Sequence, residues 1–277
     1  MKLDDITSTN PIAVGDTVRI EIEDEQARTA TIESIDDRKN YINRQSPKGK
    51  HQHHIVASNL DQTILVATLK SPRTSQGFID RFLVVSEMYH VKAIIVFNKS
   101  DIYKAKDLET YAEWKAIYEQ AGYEVLLTST VTGEGIDVLK GMLKGKVSLF
   151  SGHSGVGKST LMNAIMPSLA LRTKEVSDWS GKGMHTTTFA EMFDLPDGGS
   201  LIDTPGMREF GLVGVEKEEL SHYFPEMRKF IGHCQFNDCI HVNEPGCLVK
   251  QAVASGTISE DRYISYLGLL DSLEAPY

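Results

Sequence analysis

The chain has 277 residues, 41% of them hydrophobic, enough for two or three domains around a sizeable core. No apolar run approaches the roughly 20 residues that span a bilayer, and the opening MKLDDITSTNPIAVGD has no signal-peptide stretch, so a cytosolic protein is expected. A formal net charge of -9 argues against a surface coated in basic charge for DNA, although it leaves room for a local basic patch.

Residues 11 to 58 read as short strands. Asp16 to Ile22 and Ala30 to Ile35 alternate polar and apolar residues as half-buried strands do, with a polar turn at Asp36 to Asn40. The reading is a small barrel-like β-domain over residues 1–58. Two or three strands do not bury a core alone, so an incomplete, N-terminally truncated domain is expected. Arg38, Lys39, Arg44, Lys48 and Lys50 follow one another without an acid and run into His51, His53 and His54. A solvated loop accounts for most charge runs; the alternative is a surface that contacts nucleic-acid phosphates.

From about Asp61 the pattern changes. Ile64–Ala67, Ala93–Phe97, Val125–Leu127, Val147–Phe150 and Ser200–Ile202 are apolar runs of the kind buried on both faces of a parallel sheet. Helical segments separate them at about 76–89, 107–121, 135–144 and 158–166. The alternation predicts a doubly wound α/β domain over residues 59–212. The last segment, 213–277, holds a Cys/His cluster and then a helix, with Ser259 as its expected N-cap and Tyr263, Tyr266, Leu267 and Leu270 as its apolar stripe.

Gly152, His153, Ser154, Gly155, Val156, Gly157, Lys158 and Ser159 match G-x-x-x-x-G-K-[ST], after a strand and before a helix, with Thr160 next in the chain. Glycines let the backbone fold around phosphates with its N–H groups inward. Lys158 is expected to bridge β- and γ-phosphate oxygens, and Ser159 to ligate Mg²⁺. Asp203-Thr204-Pro205-Gly206 ends the next strand, which suits Asp203 for a water-mediated Mg²⁺ contact and Gly206 for sensing the γ-phosphate. Asn98-Lys99-Ser100-Asp101 also follows a strand. Guanine offers N1–H and N2–H₂ on one edge, both of which a carboxylate at Asp101 accepts; adenine lacks that pair. Asn98 would tie this loop to the phosphate loop, and the Lys99 stem would lie over the ring. Ser129 and Thr130 open a loop similar to the S-A-x-x-G-x-G element that meets guanine O6 through backbone N–H. Between the phosphate loop and Asp203 stands His185-Thr186-Thr187-Thr188, where a switch loop should supply a threonine to Mg²⁺. Thr187 is the favoured one, with His185 and Thr187 the candidate catalytic residues.

The order is unusual. The base-reading elements at 98 and 129 precede the phosphate loop at 152, whereas the ordinary order is the reverse. A sheet with this order closes if the usual termini are joined and a switch-side loop is opened, which is a circular permutation. Cys234, Cys239, His241 and Cys247 use every cysteine in the chain. Three sulfurs and one imidazole make a closed set for a structural, tetrahedral zinc.

With Gly15-Asp16-x-Val18, Asn59-x-Asp61, Asn98 to Asp101, Gly152 to Thr160, His185 to Thr188, Asp203 to Glu209 and the Cys₃His set, the chain resembles, over nearly its whole length, the RsgA (YjeQ) family of circularly permuted, ribosome-associated GTPases. The resemblance implies an oligonucleotide-binding (OB) fold barrel, a permuted GTPase domain and a helical zinc domain. It also implies GTP hydrolysis stimulated by the small ribosomal subunit, rRNA binding, late subunit maturation, and a cytoplasmic, membrane-free protein expected to be a monomer. Met207 stands where Ras-like proteins carry a water-positioning glutamine, so slow intrinsic hydrolysis is expected, with His185 or the ribosome supplying the missing group. Gly155 replaces the asparagine linked to potassium dependence, so no strong potassium requirement is expected. The rival readings are an ATPase or nucleotide kinase, opposed by Asn98–Asp101, and a zinc-containing RNA-binding module with a degenerate nucleotide site, opposed by Lys158, Ser159 and Asp203.

Overall fold

The computed structural model describes residues 7–8, 10–45, 52–169, 190–204, 211–212 and 214–274. The N-terminal part holds β1 (Thr7–Ser8), β2 (Val18–Asp24), β3 (Thr29–Ile35), β4 (Tyr41–Gln45) and β5 (Gln52–Ser58). These form two separate sheets among the described residues: a three-stranded one in the order β1-β5-β4 and an antiparallel β2-β3 ribbon. Among the described residues these two sheets are not hydrogen-bonded into one closed barrel.

The alternation in β2 and β3 predicts half-buried strands, and this expectation fails. Ile20, Ile22 and Ile32 are 54%, 60% and 39% exposed. The reason is topological: Ile20 pairs with Ile32 and Ile22 with Ala30, but no third described strand or helix covers that face. By contrast Ile42, Val56 and Ala57 of β4 and β5 are buried and join the main core.

The central sheet explains the site. It contains β6 (Gln62–Ala67), β7 (Lys92–Phe97), β8 (Glu124–Leu127), β9 (Val147–Ser151), β10 (Glu191–Asp194) and β11 (Ser200–Asp203), in the order β10-β11-β9-β6-β7-β8. All pairings are parallel except that of edge strand β10 with β11. All six residues of β6 are buried, as a central strand covered on both faces requires. Helices α1 (Gln76–Met88), α2 (Ala105–Gln120), α3 (Ile136–Leu143) and α4 (Lys158–Ile165) fill the connections, within two residues of the segments expected from sequence. Strand order runs outward through β7 and β8, then restarts at β9 on the other side of β6. The crevice at the carboxyl ends of β6 and β9 is therefore a topological switch point, the place where open α/β sheets bind ligands.

The chain then forms α5 (Lys217–Leu220), α6 (Pro225–Arg228), α7 (Leu248–Ala254) and α8 (Glu260–Glu274). Tyr266, Leu269 and Leu270 of α8 are buried and share one hydrophobic core with Phe82 and Val85 of α1 and Phe224 beside α6. No helix among the described residues is long and apolar enough to cross a membrane.

Candidate functional site

Four motif-bearing loops leave the same edge of the sheet. Phe97 pairs with Ala67 and Leu127, and Phe150 pairs with Ile64, and with Asp203 across β11, so the loops after β7, β8, β9 and β11 emerge side by side.

The phosphate loop runs from β9 into α4. Gly157 has φ +94°, and a Cβ there would stand 2.5 Å from Asn98 Nδ2. Gly152 has φ +146°, with the Val66 carbonyl oxygen 2.2 Å from where a Cβ would be. Both positions therefore demand glycine, one for contact with the base-reading loop and one for contact with β6. Lys158 opens α4 and turns back over the loop, its Nζ donating to the carbonyls of Gly152 at 2.5 Å and His153 at 3.1 Å. The His153 ring packs against Phe78 of α1 with centroids 3.7 Å apart and the planes tilted by 31°. Ser154, Gly155 and Thr160 face solvent, Val156 is buried, and Ser159 is half-buried.

Asp203 ends β11. Burial pushes its carboxyl up, an effect the nearby Lys158 charge opposes; burial pushes Lys158 down, and Asp203 opposes that in turn. Asp203 Oδ1 is buried without a hydrogen-bond partner among the described residues. A buried carboxylate oxygen with no donor calls for a cation or its water shell, so Asp203 suits a role in holding Mg²⁺. Thr204 next to it donates through Oγ1 to the Phe150 carbonyl at 3.3 Å, fixing the strand end.

The base-reading loop is joined to the phosphate loop. Asn98 Nδ2 donates to the Val156 carbonyl at 3.0 Å, and its Oδ1 accepts from Thr128 Oγ1 at 3.1 Å. Lys99 sits at φ +67° and spans the gap, its Nζ donating to the carbonyls of Gly155 and Ser71 at 2.6 Å each. Asp101 Oδ1 accepts from Ser129 Oγ at 2.6 Å. The same Oγ accepts from the N–H groups of Val131 and Thr132, so Ser129 caps the turn in which Thr130 lies. Ser100 Oγ donates to Glu134 at 2.5 Å, closing the loop pair. Sequence reasoning missed Tyr103 and Phe78; each acts by packing or bonding to residues outside any local motif.

Gly206, His185 and Thr187, and with them the switch threonines, lie outside the described residues, as do Lys48 and Lys50 of the basic run. Arg44 is on β4 opposite His54. Arg38, one of the candidate phosphate-contacting cations, is engaged within the chain. Its Nε and Nη2 bond Asp16 at 2.6 and 2.7 Å, and Nη2 also donates to the Pro11 carbonyl. Desolvating Asp16 is offset by this bidentate pair, which makes Arg38 a structural residue of the β-sheet region. Lys39 Nζ lies 2.6 Å from Asp61 Oδ1 but stays 59% exposed, so it remains available to solvent-side partners.

In the C-terminal part, Cys234, Cys239, His241 and Cys247 bring their donor atoms within 4.8 Å of one another. His241 Nδ1 is 3.7, 3.3 and 3.4 Å from the three sulfurs in turn. A tetrahedral zinc with ordinary Zn–S and Zn–N bonds has ligand-to-ligand edges of about 3.5–3.8 Å, so the four residues fit zinc with Nδ1 as the ligating nitrogen. Burial pushes the His241 imidazole down, which favours the neutral form a metal needs. Two tyrosines of α8 hold the ligand loop: Tyr263 and Tyr266 donate to the carbonyls of His241 and Ile240 at 2.6 Å each. Glu244 accepts from the N–H groups of Ile240 and Val242. The expected apolar stripe of α8 is thus also a polar clamp.

The family model described as RsgA GTPase matches residues 35–213. Among curated proteins, the small ribosomal subunit biogenesis GTPase RsgA of Flavobacterium psychrophilum is 50% identical over 273 residues, covering 98% of this chain and 84% of the relative. That of Bacteroides fragilis is 50% identical, covering 99% and 87%. Among solved structures, YjeQ from Thermotoga maritima superposes with a TM-score of 0.77 at 39% identity, covering 96% of this chain and 86% of that one. YloQ, described as a circularly permuted GTPase, gives 0.74 at 29% identity, covering 97% and 84%. With the base-reading loops ahead of the phosphate loop on one doubly wound sheet, and with these relatives, the chain belongs to the RsgA GTPase family of circularly permuted GTPases.

Proposed function

We propose that this chain binds GTP at the carboxyl edge of the central sheet, hydrolyses it to GDP and phosphate, and serves in late maturation of the small ribosomal subunit. The observation that carries the nucleotide assignment is Asn98, whose side chain bonds the phosphate loop at Val156 while Asp101, three residues on, is held by Ser129. One rigid unit thereby presents both a guanine reader and a phosphate cradle. The relatives' names supply the subunit, and the cytoplasm as the working compartment follows from that partner.

In this reading Gly152 to Thr160 wrap the phosphates with Lys158 on the β- and γ-oxygens. Asn98, Lys99, Ser100, Asp101, Ser129 and Thr130 hold the base. Ser159 and Asp203 would hold Mg²⁺, which when bound would supply positive charge beside the phosphates. Thr187 joins the metal and Gly206 the γ-phosphate; His185 orients the attacking water or yields that task to the ribosome. The Cys₃His set holds one structural zinc. Three units are proposed, 1–58, 59–212 and 213–277, with the exposed Lys39 and the neighbouring Arg44, Lys48 and Lys50 meeting rRNA. Because the chain runs from Asp203 directly into the zinc-bearing part, nucleotide state is positioned to reorient that part on the ribosome.

GTP turnover by the purified chain, with and without purified small subunits, tests the proposal. Slow turnover that rises sharply with subunits is expected. No turnover in either condition would favour an RNA-binding module with a degenerate site, and ATP displacing labelled GTP at similar concentration would remove the guanine assignment.

A further inference from the structure

We infer that Tyr103 is a positioning residue for guanine recognition, acting through the peptide that joins Asn98 to Lys99. The inference rests on the guanine assignment above. The Tyr103 hydroxyl donates to the Asn98 carbonyl at 2.7 Å and accepts from the Leu69 N–H at 3.0 Å. Both bonds are buried, and the residue is only 9% exposed. The phenol is short of water and keeps its proton, since burial pushes its pKa up to about 12.

The geometry gives this bond a task beyond packing. Lys99 turns the chain at φ +67°, in the left-handed region, although it is not glycine. A backbone in that region is costly and persists only where its surroundings over-determine it. The carbonyl that Tyr103 holds belongs to the peptide plane entering that turn. From the other side, the Asn98 N–H donates to the Ala67 carbonyl at 2.9 Å, so the residue is clamped at both backbone ends as well as by its side chain. Ser100 to Ile102 form a single 3-10 turn, and the Tyr103 N–H closes on the Ser100 carbonyl at 3.0 Å, which returns the ring beneath Asn98. The segment that supplies Asp101 is therefore a short loop stapled at its start by the phenol at its end.

The second bond reaches the β6–α1 loop. Leu69 begins the segment that carries Ser71, whose carbonyl accepts Lys99 Nζ at 2.6 Å. Tyr103 thus fixes both walls between which the Lys99 stem is stretched. A phenol can donate to one wall and accept from the other; phenylalanine preserves the ring and loses both.

Tyr103→Phe in the full chain is the test, with GDP, IDP and ADP affinities measured by calorimetry alongside the melting temperature. Inosine lacks the N2–H₂ group, so the GDP-to-IDP affinity ratio reads how well Asp101 is placed. The expected result is a ratio lowered roughly three- to tenfold, the range set by loss of one or two buried hydrogen bonds. A variant with a lower melting temperature and an unchanged ratio would make Tyr103 a merely structural residue and overturn the inference, leaving the guanine assignment intact. A parent chain that itself fails to prefer GDP over IDP and ADP would overturn that assignment and the inference with it.

Discussion

Arg262 of α8 and Asp80 of α1 form an ion pair 2.6 Å long, with both side chains 1% exposed. The guanidinium also meets Glu226 at 2.7 Å and lies 4.7 Å from the centre of the Phe224 ring. This buried cation joins the part that holds the Cys/His cluster to helix α1. The same helix α1 carries Phe78, the ring that packs against His153 in the loop after β9. Two residues on α1 thus meet different neighbours, Phe78 the ring of His153 and Asp80 the guanidinium of Arg262.

Removing one partner of such a pair leaves the other charge buried without compensation, which costs about 3–5 kcal/mol. Arg262→Met should therefore lower the denaturant midpoint strongly, with two carboxylates stranded. Asp80→Asn should cost less, because Glu226 remains to pair the guanidinium. A double-mutant cycle of Arg262 and Asp80 should show coupling; additive losses would show that the contact carries no joint of its own.

Asp16 and Arg38 give the β-sheet region an acid-sensitive lock. Burial works against the Asp16 charge, but Arg38, the Ser58 hydroxyl and the Ala13 N–H outweigh it, so its pKa falls below the ordinary carboxylate value. A carboxyl whose folded pKa is depressed adds stability that is fully present above its unfolded pKa, about 4, and lost as pH falls toward the folded value. Asp16→Asn should lower stability at pH 7 and flatten the decline below pH 4. Urea midpoints measured from pH 3 to 7 for both chains check this; parallel curves would contradict it.

The zinc assignment predicts one zinc per chain by metal analysis and three thiols shielded from a thiol reagent. Strong chelation should expose all three together. Cys247→Ser, which replaces the most buried ligand, should lose the metal and loosen α8, seen as faster amide exchange near Tyr263 and Tyr266. Retained zinc with unchanged exchange would mean that the cluster does not depend on that sulfur.

Much of the site was legible from local signals, and the reason is physical. Lys158, Ser159 and Asp203 sit where a strand ends and a helix or turn begins, and such loops must carry their chemistry within a few residues. The parallel sheet was legible because β6 and β7 are apolar without alternation. The exposed Ile20, Ile22 and Ile32 were misread because alternation reports that a face could be buried, and only topology decides whether anything covers it. The pairing of Arg38 with Asp16, 22 residues away, had no local signal. Tyr103, Phe78 and Arg262 were invisible for the same reason: their roles exist only once distant segments pack.

Gly157 of the phosphate loop sits directly against Asn98 of the base-reading loop. An alanine Cβ there would stand 2.5 Å from Asn98 Nδ2 in a backbone at φ +94°, a conformation side chains rarely adopt. Relief would require moving Asn98, which would break its bond to Val156 and with it the link that holds Asp101 in register with Lys158. Gly157→Ala should therefore weaken GTP and GDP by on the order of tenfold or more, the scale of a buried hydrogen bond plus its stranded partner. Gly141→Ala is the control. It lies on the exposed side of α3 with nothing within 4 Å of the added Cβ, so it should raise stability by about 0.5–1 kcal/mol and leave nucleotide affinity alone. Calorimetric titration of both variants, with melting temperatures alongside, separates a site effect from a folding effect; equal affinities for Gly157→Ala and the parent would show that the two loops are not mechanically joined at this glycine.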